Sequence, residues 1–383
     1  MIPIAYCIHN LSIGGAEHHL QYVFRNIDRR RFLPILFCLG NSHDKPLYEG
    51  YKALDVEIIN VGMEGKSLSP RNFQRLWDMA RLLKAKNVRI VHGYLFEGNL
   101  WGAVAGRLAG VPIVIESKRS LDHYSFLPLW ACKFGNHLAT RITANSHAVK
   151  NFVEQIEACP GSKITVIHNG VNGFVAGGIS PDASNLRKSW GIPPEAFVAG
   201  TVARFFWKKG YEYFLHMAAA VLKEKPKVYF VAIGDGPLKK DMEHLAADLG
   251  IASQVIFAGW QSDAGIKTKS FDLYVCTSVI EGMSNAMLEA MNQGLPVVAS
   301  SVGGNKETVL HSVTGYLVPS RDPKAMAMAV LRLIDNPSLL RRMGEVGKAR
   351  VASEYTAQGM VRRMEELYMN LLKEKRIEVH ERS

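Results

Sequence analysis

Short apolar runs recur along the chain, and most are followed by a longer stretch whose apolar residues return every three or four positions. In the first half the runs are IPIAYCI (2–8), FLPILFC (32–38), VEIINV (56–61), VRIVHG (88–93), PIVIES (112–117), RITAN (141–145) and KITVIHN (163–169). Between them lie amphipathic stretches such as PRNFQRLWDMARLLKAK (70–86) and SHAVKNFVEQIEAC (146–159). Runs of this length read as buried strands, and strands that alternate with helices argue for parallel βαβ units.

Residues 171–196, VNGFVAGGISPDASNLRKSWGIPPEA, break the alternation with Gly, Pro, Ser and Asn, as an interdomain connection does. The pattern then restarts with FVAGTV (197–202), KVYFVAIG (227–234), QVIFAG (254–259), FDLYVCTS (271–278) and PVVAS (296–300). A helix is expected after KKGYEYF (208–214) and another across PLKKDMEHLAADLG (237–250). The expected fold class is α/β: two Rossmann-like, doubly wound domains facing a cleft, covering residues 1–172 and 173–355. The last helical stretch, TAQGMVRRMEELYMNLLKEKR (356–376), aligns Met360, Met364, Leu367 and Leu371 in one apolar stripe that needs a surface to cover.

Composition narrows the class. The 383 residues are 48% hydrophobic and 21% charged, which suits a folded chain with a sizeable core. Lys and Arg number 46 against 35 Asp and Glu, a balance of +11 that favours an anionic partner: nucleotide phosphates, an anionic membrane surface or nucleic acid. The positive residues are spread over many helices and are not interleaved with aromatics on one face, which argues against nucleic acid. Cys7, Cys38, Cys132, Cys159 and Cys276 are scattered without C-x-x-C or Cys/His spacing, so they read as buried thiols of a reducing compartment. MIPIAYCIHN reads as a first strand and not as a signal peptide, and the longest apolar candidate, NLWGAVAGRLAGVPIVI, is split by Arg107 and a Gly-Val-Pro break. A cytoplasmic chain, soluble or peripheral on the inner face of a membrane, is the expectation.

The chemistry concentrates in SVIEGMSNAMLEAMNQGLPVVAS (278–300), where a strand gives way to a helix and then to another strand. Ligands of open α/β sheets bind at the carboxyl ends of strands, where helix N-termini direct unpaired N–H groups outward. Gly282, Ser284, Asn285 and Ala286 would offer such donors to a phosphate. Glu281 falls just before the helix and Glu289 a turn or more inside it, and a carboxylate accepts well from adjacent sugar hydroxyls. The bland alternative is a pair of solvated helix-end residues. In ARFFWKKG, Arg204 and Lys209 follow a strand, where two cations can meet a diphosphate; a surface basic cluster is the alternative. GDGP (234–237) and the glycine pair of IGGAE are weaker signals.

Taken in order, GGAE, RIVHG, TANSHAV, IHNGVNGF, ARFFWKKG, GDGPLKK, VIFAGW and EGMSNAMLE followed by GLPVVASSVGGNKE resemble the retaining glycosyltransferases of family four, which have the GT-B fold. The resemblance covers essentially the whole chain, and its most specific parts are the two-glutamate segment and the R-x4-K-G. It implies that the C-terminal helix crosses back to complete the first domain (356–383), with the acceptor on the first domain and a nucleotide-sugar donor on the second. It further implies that Glu289 holds the ribose hydroxyls, that Glu281 contacts donor-sugar hydroxyls, and that Arg204 and Lys209 bind the diphosphate and stabilise the leaving group. Gly14 and Gly15 would approach the phosphates; Gly282, Met283, Ser284, Asn285 and Ala286 would line the sugar and phosphates; Trp260 would lie along the base. No metal and no cofactor are expected, because protein cations take the metal's place.

Two departures from the family pattern bear on the acceptor. Tyr94 stands where many members have a second His after that of RIVHG, and Lys118 and Arg119 stand where many have a His after the strand PIVIES. His92 is therefore either an acceptor-side residue or a satisfied core histidine, and Lys118 and Arg119 either acceptor-side cations or a solvated loop pair. In LDHYSFLPLWACKFGNHLATR, Phe126, Leu127, Trp130 and Phe134 combine with Lys133, Arg141, Lys118 and Arg119; core packing and contact with an anionic bilayer both fit. The reading is transfer of a hexose from a UDP-sugar to a glycan or lipid-linked acceptor, in polysaccharide or glycoconjugate synthesis. The alternative is an epimerase or another enzyme acting on the nucleotide sugar without transfer.

Overall fold

The computed structural model describes residues 1–43, 45–63, 70–121, 126–172, 183–261 and 264–379. The chain divides into two units, one of Met1–Gly170 with Ala357–Ser383 and the other of Val171–Thr356. Much of the expected connection, residues 173–182, lies outside the described residues.

The first unit holds seven strands: β1 (Ile2–Ile8), β2 (Phe32–Cys38), β3 (Glu57–Asn60), β4 (Ile90–Tyr94), β5 (Ile113–Lys118), β6 (Arg141–Ala144) and β7 (Ile164–Val166). They pair in parallel in the order β3-β2-β1-β4-β5-β6-β7. The second unit holds β8 (Val198–Val202), β9 (Tyr229–Ile233), β10 (Val255–Gly259), β11 (Leu273–Cys276), β12 (Val297–Ser300) and β13 (Gly315–Val318), parallel in the order β10-β9-β8-β11-β12-β13. Both are doubly wound, so each sheet reverses its direction of growth once, between β1 and β4 in the first and between β8 and β11 in the second. At such a reversal the loops leaving the two central strands diverge and open a crevice at their carboxyl ends.

A parallel sheet covered on both faces has almost no polar positions, and alternate residues feed two cores. In β1, Ile2, Ile4, Tyr6 and Ile8 enter one cluster, while Ala5 and Cys7 enter the other. The first of these clusters is closed by the C-terminal helix Ala357–Glu374, whose buried Met360, Val361, Met364, Leu367, Tyr368, Leu371 and Leu372 form a stripe at helical spacing. The stripe read from the sequence thus finds its surface on the first sheet.

His92 belongs to this core and not to a binding surface, which corrects its reading as an acceptor-side residue. It is fully buried in β4, its Nδ1 lies 2.7 Å from the Tyr368 hydroxyl, and that hydroxyl lies 3.2 Å from the Tyr6 hydroxyl. Burial, and secondarily the Arg119 guanidinium, depress its pKa to about 3. A neutral ring suits the geometry: Nδ1 accepts from Tyr368, and Nε2 faces Thr143 Oγ1 at 3.5 Å. His19 is likewise buried and depressed, first by burial and then by Arg119.

An imidazole that titrates near 6.5 when unfolded and near 3 when folded takes up its proton preferentially in the unfolded chain. Its contribution to stability is complete above about pH 6.5 and is lost as the pH falls toward 3, with a slope of at most about 1.4 kcal/mol per pH unit for one proton. Urea unfolding of His92→Gln between those limits is expected to show a shallower pH dependence than the unsubstituted chain; parallel curves would contradict a neutral buried imidazole.

Candidate active site

The reversal point of the second sheet is where the sequence-predicted charged residues come together. The loop after β8 carries Arg204 and Lys209, and the loop after β11 carries Glu281. Three hydrogen bonds tie these two loops: Val279 N–H donates to Lys208 O at 2.8 Å, Thr277 Oγ1–H donates to Lys209 O at 3.0 Å, and Lys209 Nζ donates to Glu281 Oε2 at 2.6 Å. The carboxylate also accepts from Ser278 Oγ at 3.1 Å. Ser300 Oγ in turn donates to the Ser278 carbonyl. The Glu281 side chain is 11% exposed and that of Lys209 28%, so the pair is partly desolvated while its cation stays reachable. Burial by itself lowers the Lys209 pKa, but the Glu281 carboxylate outweighs it and the net shift is upward. Lys209 is held as an ammonium.

Gly210 makes this closeness attainable. It caps the helix Tyr211–Glu224 in the left-handed conformation, at φ 62°. A Cβ built there would also strike the Thr277 carbonyl oxygen. The GDGP turn supports the same loop from the side of β9, where Asp235 O accepts from Phe205 N–H at 2.9 Å. It packs against the loop that holds Arg204. Arg204 itself is exposed immediately after β8.

The helix Asn285–Asn292 starts where the sequence placed it. Ser284 is its N-cap, accepting from Met287 N–H at 3.3 Å. Gly282 and Met283 are buried in the turn before it, and Asn285 and Ala286 open its first turn half-buried. Met287, Leu288, Ala290 and Met291 face inward. Glu289 therefore turns to the other side, half-buried, against Gly265: a Cβ on Gly265 would sit 2.5 Å from its Oε2. Glu281 and Glu289 are not solvated helix-end residues. Trp260 follows β10 and is 45% exposed. Sequence reasoning missed Thr277 and Ser278, which position the Lys209 loop and the Glu281 carboxylate; their place directly after the strand LYVC was the available signal.

In the first unit, Gly14 is the N-cap of the helix Gly15–Asn26 and Gly15 its first residue. Any side chain at Gly14 would run into the Glu17 carboxylate. Lys118 and Arg119 form no solvated loop pair. Lys118 Nζ is buried between Glu116 Oε2 at 3.0 Å and Glu157 Oε2 at 2.9 Å, and Asn136 Nδ2 donates to the same Glu157 oxygen at 2.8 Å. Lys118 is thereby the counterion of two buried carboxylates. Arg119 donates to Asn169 Oδ1 at 2.9 Å. Among the described residues, neither unit by itself gathers three His, Cys, Asp or Glu side chains closely enough to hold a metal ion.

The helix Phe126–Leu138 buries Cys132, Gly135 and Asn136 and leaves its large apolar residues outside. Phe126 is 71% exposed, Leu127 77%, Trp130 57% and Phe134 53%, which rules out the core-packing alternative for that face. Residues 122–125 of that stretch lie outside the described residues. Among the described residues, no helix is long and apolar enough to cross a membrane.

Comparison with known proteins follows the division of the chain. A family model described as Glycosyltransferase Family 4 matches residues 13–172, and one described as Glycosyl transferases group 1 matches residues 182–350. The chain is 26% identical over 316 residues to the UDP-Gal:alpha-D-GlcNAc-diphosphoundecaprenol alpha-1,3-galactosyltransferase of Escherichia coli, covering 79% of this chain and 80% of that protein. It is 29% identical over 189 residues to the lipopolysaccharide core biosynthesis glycosyltransferase LpsE of Rhizobium meliloti, covering 49% of this chain and 53% of that one. Among solved structures, Anabaena Alr3699/HepE in complex with UDP and glucose superimposes with a TM-score of 0.84 at 22% identity, over 97% of this chain and 100% of that one. That likeness establishes the fold.

Gly210→Ala is expected to cost about 1–3 kcal/mol through the forced left-handed backbone and the clash with Thr277, read as a lower unfolding midpoint. Gly250→Ala, also left-handed but with open space around it, isolates the backbone part of that cost. Equal losses for the two would show that the close approach at Thr277 carries no energy.

Proposed function

The chain belongs to the group 1 glycosyltransferases of the GT-B fold, and from that premise we propose that it transfers a hexosyl group from a UDP-hexose to a glycan or lipid-linked acceptor, with retention of configuration and without a metal ion. The observation that carries the reading is the Lys209–Glu281 pair at the reversal point of the second sheet, 2.6 Å long and flanked by a capped helix N-terminus. The galactosyltransferase relative uses a UDP-sugar by name, and the Anabaena protein forms a complex with UDP and glucose, which supports UDP as the donor nucleotide.

In this reading the diphosphate lies against Lys209 and Arg204 and meets the N–H groups at the start of the helix Asn285–Asn292. Glu289 accepts from the ribose hydroxyls and Glu281 from hydroxyls of the donor sugar. As the bond between the anomeric carbon and the diphosphate oxygen breaks, negative charge grows on that oxygen, and Lys209, with Arg204, stabilises it more in the transition state than in the ground state. The acceptor hydroxyl attacks from the same face, and its proton passes to the departing diphosphate. The products are a glycoside and UDP. Glu281 acts through Lys209 as well: it holds the ammonium in place before the donor arrives, so no reorganisation is required when charge develops.

The exposed face of Phe126–Leu138 supports attachment of the first unit to an anionic bilayer. The helix has no acidic residue, Lys133 Nζ stands 5.7 Å over the Trp130 ring, and the unit holds 26 Lys and Arg against 18 Asp and Glu, compared with 20 against 17 in the second unit. Aromatic and aliphatic side chains beside a cation suit the boundary between headgroups and acyl chains. Lys118 and Arg119, expected to extend this basic face, do not contribute to it because they are engaged inside the unit.

Calorimetry and initial rates with UDP-hexoses test the donor assignment. Glu289→Ala is expected to weaken UDP-sugar binding, Glu281→Ala mainly to lower turnover, and Lys209→Ala to remove about 2–4 kcal/mol of transition-state stabilisation. Activity is expected to survive a chelator, and a strict requirement for added metal would contradict the role given to the cations. In liposome flotation at low salt, the chain is expected to rise with anionic vesicles, and Leu127→Glu with Trp130→Glu to abolish it. Failure of the unsubstituted chain to float would end the membrane proposal.

A further inference from the structure

The outward face of Phe126–Leu138 has a counterpart two helices away on the same unit. Helix Pro70–Ala85 buries Leu76, Met79 and Leu83 in the cluster that also takes Trp101 and Ala105 of helix Leu95–Leu108. Gly106 of that second helix lies on Val114 of β5, and Gly135 of Phe126–Leu138 lies on Glu116 of the same strand. Residues two apart in a strand share a face, so all three helices cover one face of the first sheet. Leu95–Leu108 packs against both of the others and so lies between them. Neighbouring helices pack about 8–10 Å apart, which sets the two outer ones roughly 16–20 Å from each other.

The outward side of Pro70–Ala85 repeats the chemistry found on Phe126–Leu138. Phe73 is 53% exposed and Trp77 49%, and they stand one helical turn apart. The Arg81 guanidinium lies 5.9 Å over the Trp77 ring, as the Lys133 ammonium lies over that of Trp130. Arg71, Arg75 and Lys84 are exposed as well. The one carboxylate of this helix, Asp78, is half-buried and accepts from Gln74 Nε2 at 3.1 Å. The helix between the two adds exposed Arg107 and Leu108, and its own carboxylate, Glu97, lies 3.0 Å from His9 Nδ1. A partner for this layer must be flat across three helices, anionic at its surface and apolar beneath it. An anionic bilayer is all three: aromatic rings settle at the headgroup boundary, and arginine reaches the phosphates with its stem along the acyl chains. We infer that helix Pro70–Ala85 is a second membrane contact, so that the first unit rests on an anionic bilayer through both outer helices of one layer. The inference rests on the membrane reading given above for Phe126–Leu138 and adds a surface to it. Two weak contacts on one unit hold a surface more tightly than either alone, by a factor on the order of 100 or more.

The test is partition of the full chain onto vesicles of phosphatidylglycerol and phosphatidylcholine at low salt, with sedimentation velocity and thermal melting in parallel. Phe73→Glu with Trp77→Glu is expected to lower vesicle partition at least tenfold, although Phe126–Leu138 is untouched. An unchanged melt reports that this variant folds. Trp77→Phe keeps an aromatic contact and removes its fluorophore, so on vesicles of brominated lipid the quenched share of the tryptophan emission is expected to fall. Partition of the Phe73→Glu, Trp77→Glu variant equal to that of the unsubstituted chain, or an equal quenched share in Trp77→Phe, would overturn the inference. If Leu127→Glu with Trp130→Glu still abolished flotation in that case, the membrane reading of Phe126–Leu138 would stand without it. An unsubstituted chain that does not bind the vesicles would end both. A sedimentation coefficient that drops in the Phe73→Glu, Trp77→Glu variant while vesicle binding is unaltered would assign this face to a second copy of the chain instead.

Discussion

The second unit is organised around one short ion pair. Lys209 and Glu281 are 72 residues apart in sequence, yet their loops leave adjacent strands of one sheet and are stitched by two further hydrogen bonds. Removing either charge would leave the other partly buried without its counterion, a larger loss than the pair's own net worth. The glycine that follows Lys209, the serines that brace Glu281 and the turn beneath Arg204 all fix this contact. On the proposed reading they do so because catalysis by electrostatics needs its charges placed before the reaction starts.

Both units obey the same topological rule, and each carries its polar groups where that rule predicts a crevice. In the second unit the groups are a cation and carboxylates around a helix start, which suits a phosphorylated sugar. In the first they are His9, Asn10, Asn41, Lys45 and Glu97 beside the largely buried Trp101. Fold alone distinguishes nothing here, since the two sheets have equivalent strand orders. The difference lies in which residues occupy the strand ends.

Much of this was legible before any coordinates. Strands buried on both faces announce themselves as continuous apolar runs, and the runs IPIAYCI and FLPILFC coincide with β1 and β2. The edge strands β3 and β7 came out shorter than VEIINV and KITVIHN suggested, because an edge strand pairs on one side only and its ends are not held. β13 went unread: GYLV is four residues long and begins with glycine. The helices Pro323–Ile334 and Pro337–Glu354 also went unread, although Asp322 and Asn336 cap them directly before a proline at the first helical position, a pairing that marks helix starts. Local periodicity could not assign His92 or Lys118. Their fates depend on Tyr368 and Glu157, partners 276 and 39 residues away. Nor could it tell that Phe126, Leu127, Trp130 and Phe134 face outward, because an amphipathic helix shows two faces but not which one its own chain covers.

The most direct measurement is a crystal of the chain grown with UDP. The account predicts electron density for the diphosphate within hydrogen-bonding distance of Lys209 Nζ, at the start of the helix Asn285–Asn292, with the ribose hydroxyls on the Glu289 carboxylate. Density for the nucleotide anywhere else, with the ammonium still bound to Glu281 alone, would contradict it.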